Sequence, residues 1–253
     1  MTGAVTRYLG ALRLVDATSR LPVERPLRVR SETLTLFRNR SGLYVIRDAP
    51  GFQDYTVAFE APPANTPPHN ATVEISDPLG QYLRRIATFT LPWPKERPAD
   101  QAGPALFTPH TLQLLPSPAA PARSGWAVVR AQVQDTVGVR LPGALLRLTA
   151  GSTVEVWGMT DDQGEAQLRV PDIPRVTWGA SADTAVLAQG LTVSVQAGAH
   201  PALYDAERTL QAVPDPDALQ GVWTHLRRSS VASFSLSSGQ HYPIRIPMQI
   251  DLS

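Results

Sequence analysis

The sequence predicts an all-β protein: two tandem antiparallel β-sandwich domains, immunoglobulin-like or transthyretin-like, joined by a proline-rich linker. Three observations predict it. Apolar residues recur at period two in many short runs, the signature of strands with one buried face. Proline is abundant, at 24 of 253 residues, and it is costly in helix interiors and central strands, so the chain reads as short strands with proline-rich connections. A hydrophobic content of 43% over 253 residues suits two modest cores.

The strands follow in order. Leu12 and Leu14 lead to Asp16, which opens a turn. Leu34 and Leu36 alternate with Thr33, Thr35 and Phe37, Asn39–Gly42 forms a tight turn, and Leu43–Ile46 returns. Tyr55, Val57 and Phe59 alternate with Thr56 and Ala58 and predict a strand. Val73 and Ile75 begin another, which ends at Asp77-Pro78-Leu79-Gly80, a turn with proline at its second position. Residues 81–91 return, and 106–115 supply the last strand of a first domain at 1–115. Residues 116–125 (PSPAAPARSG) read as a stiff, extended linker.

The second domain, 126–253, opens with Ala127, Val129, Ala131 and Val133 on one face. Further strands are expected at 191–196 and 203–213. One short helix is expected near 216–227, with Asp215 as N-cap and Pro216 at N1. Leu219, Val222, Trp223 and Leu226 share its face, and Arg227 and Arg228 sit at its negative end. At the C-terminus Tyr242, Ile244, Ile246, Met248 and Ile250 alternate with polar residues and prolines, and Pro243 and Pro247 make this an edge strand or a bulged one. Val15-Asp16 with Leu21-Pro22-Val23 echoes Gln134-Asp135 with Leu141-Pro142-Gly143. The echo reads either as two related sandwiches or as turns reusing Asp and Pro.

Composition narrows the function. Charged content is 18% and net charge +1, so no broad basic face for nucleic acid is implied. The chain has no cysteine, which excludes disulfides and thiolate metal sites. No uncharged apolar stretch is long enough to span a membrane. The N-terminal segment carries Arg7 and Arg13 without a long apolar run, so no signal peptide is predicted.

The spacing of the candidate catalytic residue types argues against catalysis. Three positions after His69, His110, His200, His225 and His241 stand Thr72, Gln113, Leu203, Arg228 and Ile244. No His-x-x-Glu zinc pair exists. GxSxG, GxGxxG and the P-loop pattern are missing, and Ser237-Ser238-Gly239 reads as a hairpin turn. Asp161-Asp162-Gln163-Gly164-Glu165 is too short for an EF-hand loop and reads as a hairpin turn, with weak calcium binding as the alternative. The chain is therefore not expected to be an enzyme, and no cofactor or metal is expected.

Six residues stand out as partner contacts. Arg28 and Arg30 share one strand face, as do Arg38 and Arg40. They form either a solvated sheet face or a patch for an acidic partner. Trp126 and Trp157 are expected in the second core, whereas Trp93, between prolines, and Trp178, in a loop-like stretch, read as exposed anchors or as loop staples.

The stretch from Val133 to Pro171, with Asp135, Leu141-Pro142-Gly143-Ala144, Thr160-Asp161, Gly164, Leu168 and Val170, resembles the carboxypeptidase-regulatory-like family, a small transthyretin-type β-sandwich. Such modules are normally scaffolds or adhesive surfaces. Over its whole length the chain resembles two-domain proteins encoded with phage-tail-like contractile injection systems. The segments that carry this are LRLVDATSRLPVERPLRV, LFRNRSGLYVIRDAPGFQDYTVAFEAPP, DPLGQYLRR, AAPARSGWAVVRA, LPGALLRL, TDDQGEAQLRVP and PDPDAL. The resemblance implies a particle-associated component made in the cytoplasm without a signal. The stiff linker and proline-blunted edge suit a rigid, non-catalytic adaptor that docks other protein subunits, with an oligomer within a particle as the expectation. The alternative is a ligand- or carbohydrate-binding sandwich module.

Overall fold

A computed structural model describes residues 8–57, 66–95, 104–171, 173 and 190–250. The chain divides into two compact units, Met1–Asp16 with Arg20–Pro78 and Arg84–Leu114, and Ala17–Ser19 with Leu79–Leu83 and Leu115–Ser253. The protein is all-β, a β-sandwich fold.

In the first unit β1 (Gly10–Asp16), β2 (Arg28–Arg30), β3 (Thr35–Arg38), β4 (Tyr44–Asp48), β5 (His69–Ser76), β6 (Arg85–Leu91) and β7 (His110–Leu114) form two sheets. Their orders are β3-β4-β1-β7 and β2-β5-β6. Alternation decides the faces: Leu12, Leu14, Ile46, Val73, Ile75, Leu91, Leu112 and Leu114 are all buried. The expected strand at Tyr55–Phe59 is corrected. Residues Gln53–Val57 form a helix, α1, because Phe52 and Tyr55 are both buried and meet edge-on at 5.6 Å. Phe59 lies outside the described residues.

The second unit holds β8 (Ala127–Asp135), β9 (Leu145–Ala150), β10 (Val154–Met159), β11 (Glu165–Val170), β12 (Leu191–Ala199), β13 (Arg227–Arg228), β14 (Ala232–Leu236) and β15 (His241–Met248). One sheet runs β11-β8-β15. The other runs β10-β9-β12-β13, with β14 also paired to β12. Between them lies one core, including Val129, Val133, Leu146, Leu148, Leu168, Val193, Val195 and Ile246.

The expected helix over 216–227 is shorter. It is α2, Pro216–Gly221, capped by Asp215, whose side chain accepts from the Asp217 N–H. Gly221 and the non-helical Val222 end it, and a 3-10 turn, Trp223–His225, follows. Leu219, Trp223 and Leu226 are buried around Leu145, whereas Val222 is exposed. Arg227 and Arg228 belong to β13. Trp157 packs with this small cluster and not in the central core, and its ring meets Trp223 at 5.1 Å. Trp126 is half-buried, with the Arg123 guanidinium 5.3 Å from its ring. The expected strand at 203–213 is instead a 3-10 turn, Pro201–Leu203, and a tight turn closed by a Tyr204–Leu210 bridge.

Residues 116–120 are not a free spacer. Pro116 bridges Tyr82, the Ser117 N–H donates to the Gln81 carbonyl at 3.0 Å, and Ala120 is buried. Ser237–Gly239 is a turn, closed by Gln240 N–H to the Ser237 carbonyl at 3.1 Å. It joins strands of different sheets, β14 and β15, so it is not a hairpin.

The two units are wired alike. In each, the first strand pairs antiparallel with one partner (β1–β4, β8–β11) and parallel with the last strand (β1–β7, β8–β15). The second sheets match too: β2–β5–β6 corresponds to β9–β12–β14. With Asp16 set against Asp135, the ladders agree residue by residue. Leu12 faces Tyr44 and His110, as Ala131 faces Ala166 and Ile244. The turn alignment differs from the sequence echo. The Val23 N–H donates to Leu14 as the Leu141 N–H donates to Val133, so Val23 corresponds to Leu141 and the first turn is one residue longer. One strand changes sheet: β3 pairs with β4, but its counterpart β10 pairs with β9.

One turn is built four times, after Asn39, Asp135, Asp161 and Asp205. In each, the side-chain Oδ1 accepts from the N–H four residues on, at 2.9, 2.8, 3.0 and 2.8 Å. The carbonyl accepts from the N–H three residues on, at 3.1, 3.1, 3.0 and 3.0 Å. That third position is left-handed: Gly42, Gly138, Gly164 and, at φ 63°, Arg208.

Candidate interaction surfaces

Sheet geometry decides which parts of each unit can meet a partner. β15 is an edge strand with one side open among the described residues. The Val128 N–H donates to the Gln240 carbonyl at 2.8 Å. Peptide groups alternate along a strand, so the even-numbered residues of β15 face β8 and the odd set faces outward. Pro243 and Pro247 belong to the odd set and withhold two N–H groups from that edge. A partner strand meets a broken donor row there, which favours the side-chain face of this sheet over its β15 edge for docking.

In the first unit, Arg28 and Arg30 are exposed on β2, on either side of half-buried Val29. Arg30 lies opposite Glu74 on β5. A groove of about 660 Å³ runs over this sheet, lined by Arg30, Thr33, Asn70, Thr72, Glu74 and Arg84 among others. Three side-chain hydrogen bonds brace this sheet face. The Arg84 Nε donates to Glu74 at 2.8 Å, the Ser31 hydroxyl to the Thr72 carbonyl at 2.7 Å, and the Thr90 hydroxyl to Asn70 at 2.8 Å.

Arg38 lies on β3, in the other sheet, and Arg40 at the tip of the turn that follows. Both are exposed, and Arg38 donates to the Glu24 carbonyl. The four arginines therefore make two separate pairs, not one patch.

Trp93 is corrected outright: it is 3% exposed and belongs to the first core. Its ring packs with Phe89 at 5.4 Å and His110 at 5.8 Å. Gly10 makes the space, since a Cβ there would sit 2.3 Å from the indole. Trp178 lies outside the described residues.

In the second unit, Arg130 of β8 and Arg245 of β15 stand exposed on the outer face of one sheet. Pro243 is in register with Arg130, and Arg245 with Gln132. With Pro118, Glu165 and the intervening backbone they line a recess of about 400 Å³. The one carboxylate lining it, Glu165, faces Arg140 at 3.8 Å. Alternation in the sequence already set Arg130 and Arg245 opposite the buried faces of their strands. The parallel β8–β15 pairing that brings them together links residues more than a hundred positions apart, which local reading misses.

The acidic turn residues are engaged in structure. Asp161 caps its own turn and is not part of any ligand cluster. Asp135 is buried, accepts from the Val137 and Val139 N–H groups, and pairs with Arg208. Tyr204 donates to the Pro142 carbonyl at 2.7 Å, and burial pushes its hydroxyl well above the usual tyrosine range. Among the described residues, no three His, Asp or Glu side chains are grouped to hold a metal ion, and no helix is long and apolar enough to cross a membrane.

No protein-family profile matches the chain, and no curated protein matches it. Among solved structures it is similar to the Bacillus anthracis TIE protein, at 9% identity over 95% of this chain and 34% of that one, with a TM-score of 0.27. A streptococcal ancillary pilin matches at 10% identity over 86% of this chain and 50% of that one, TM-score 0.28. BcpA, the major pilin subunit of Bacillus cereus, matches at 9% over 90% and 56%, TM-score 0.29. The chain thus spans about a third to somewhat over half of their lengths. At these scores the functional reading rests on this chain's own residues.

Proposed function

We propose that this protein is a non-catalytic adaptor of a phage-tail-like contractile injection particle, made in the cytoplasm and docking other subunits through the side-chain faces of its sandwiches. The observation that carries the docking reading is the pairing of rigid, ladder-braced sheet faces with a proline-broken edge on β15. Face-to-face contacts close, whereas strand addition propagates. The Asp135, Asp161 and Asp205 carboxylates fit the non-catalytic reading, because each is engaged in holding its own turn. The injection-particle assignment is supported by the whole-length sequence resemblance.

The test is affinity capture of the tagged protein from its native lysate, with negative-stain imaging and mass spectrometry. Rod-shaped particles with sheath, tube or baseplate proteins are the expected result. A lone monomer free of such proteins overturns the assignment.

A further inference from the structure

We propose that the recess on the outer face of sheet β11-β8-β15 is a docking site for an extended acidic segment of a partner protein, with carboxylates at alternate positions. The inference deepens the docking reading and rests on it only for the partner being a protein.

Four observations carry it. First, Arg130 and Arg245 have no hydrogen-bond or ion-pair partner among the described residues, although both line the same concave surface. Second, the one carboxylate there, Glu165, is turned to Arg140 at 3.8 Å, which leaves two guanidinium charges unmatched. Third, the spacing fits. Arg130 and Arg245 are diagonal cross-strand neighbours, because Arg245 lies two residues beyond the register partner of Arg130. Such positions are roughly 7–8 Å apart, and side chains at i and i+2 of an extended chain recur every ~6.8 Å on one face. Fourth, the walls are stiff. Pro118 and Pro243 flank the recess, and β8 is paired on both sides, so little ordering accompanies binding.

The outward prolines of β15 favour side-chain recognition over strand addition. Arginine forks then meet carboxylates bidentately, which makes the site selective for carboxylate spacing and sensitive to salt.

The test is fluorescence anisotropy of the full chain with two labelled hexapeptides of one composition, the alternating Glu-Ser-Glu-Ser-Glu-Ser and a block peptide, Glu-Glu-Ser-Ser-Ser-Glu, in which no two carboxylates stand at i and i+2, at low ionic strength. The alternating peptide is expected to bind saturably and several-fold tighter than the block peptide, with affinity falling as salt rises. R130E/R245E is expected to lose about tenfold or more in affinity, while R28E/R30E stays within about twofold of the parent. Amide shift mapping on the unmutated chain gives a readout independent of variant folding, with shifts expected at Gln132, Glu165 and Arg245. Equal binding of the two peptides, no saturable binding, equal loss in R28E/R30E, or shifts elsewhere would each overturn the proposal. Because no particle is needed, failure here leaves the adaptor reading standing. Success with a failed capture experiment leaves the site standing without the particle.

Discussion

The first and second sandwiches share one wiring but fill it differently. The inward position that Val129 occupies on β8 is held by Gly10 on β1, since both stand three strand positions before the matched pair Arg13 and Gln132. In the first unit the indole of Trp93 fills the space that a β8-like side chain would take. The left-handed corner of the first turn shows the same freedom. Gly138 holds it in one unit, and Arg20, at φ 61°, in the other. The ladder register is the preserved feature, and volume and backbone strain are adjusted around it. A fold defined by pairing tolerates exchange of side chains between strands, provided the layer is filled to normal density.

The largest expected effect is at the buried Asp135–Arg208 ion pair of the second unit, whose counterpart in burial in the first unit is Arg25–Asp77. Arg208→Ala leaves the Asp135 carboxylate buried without its partner, and about 3 kcal/mol of stability should be lost in denaturant unfolding. Arg208→Gly loses the same pair but relieves the left-handed backbone, so it should be about 1 kcal/mol more stable than Arg208→Ala. The opposite order would show that backbone strain at 208 is unimportant.

Making the first unit resemble the second is the next largest change. Gly10→Val should cost about 3 kcal/mol or more, by overpacking against Trp93 and by placing a β-branched residue at φ 150°, seen as a lowered melting temperature and a shifted tryptophan emission. Unchanged emission would mean the indole does not fill that place.

Exchanging the turn corners sharpens the comparison. Gly138→Ala should cost roughly 1 kcal/mol, whereas Arg20→Gly should be neutral or stabilising by a few tenths. Equal effects of the two would deny that these positions correspond.

The smallest effect is alkaline. The hydroxyl of Tyr204 has a raised pKa in the folded state, so the unfolded chain releases this proton first as pH rises. The stability it contributes is complete below the ordinary tyrosine pKa of about 10 and declines above it. Tyr204→Phe should flatten that decline while losing about 1 kcal/mol at neutral pH with its hydrogen bond. An unaltered alkaline slope would assign the decline to other groups.

Much of this was legible in the sequence wherever a strand buries one face. β5, β8 and β15 fall where period-two alternation puts them, β1, β4 and β12 overlap the runs expected to be strands, and the turns at Asn39, Asp77 and Asp161 follow from their residues. Tyr55 and Val57 alternate like a strand, yet Phe52 and Tyr55 gain burial together on one side of a helical turn. Residues 203–213 look strand-like, but the Asp205 turn reverses them after two residues. Of the two readings of Trp93, the exposed anchor fails: its flanking prolines suggest a surface loop, while the space it fills is created by a glycine eighty-three positions earlier. Among the site residues, the outward setting of Arg28 and Arg30 was readable locally. The placement of Arg38 on another sheet, with Arg40 at the turn beyond it, was not, and neither was the meeting of Arg130 with Arg245. Strand order is a long-range choice that no local pattern encodes.

The parallel pairing of first and last strands also has a mechanical side. In the second unit the chain enters at the start of β8 and leaves at the end of β15, and these points lie at opposite ends of one hydrogen-bonded ladder. Tension applied through the two ends therefore slides β15 along β8, loading the rungs of that ladder together instead of opening them one after another. The β1–β7 ladder of the first unit is strung the same way. A chain built like this resists a pull along its length far better than a peel from one side, whatever its equilibrium stability.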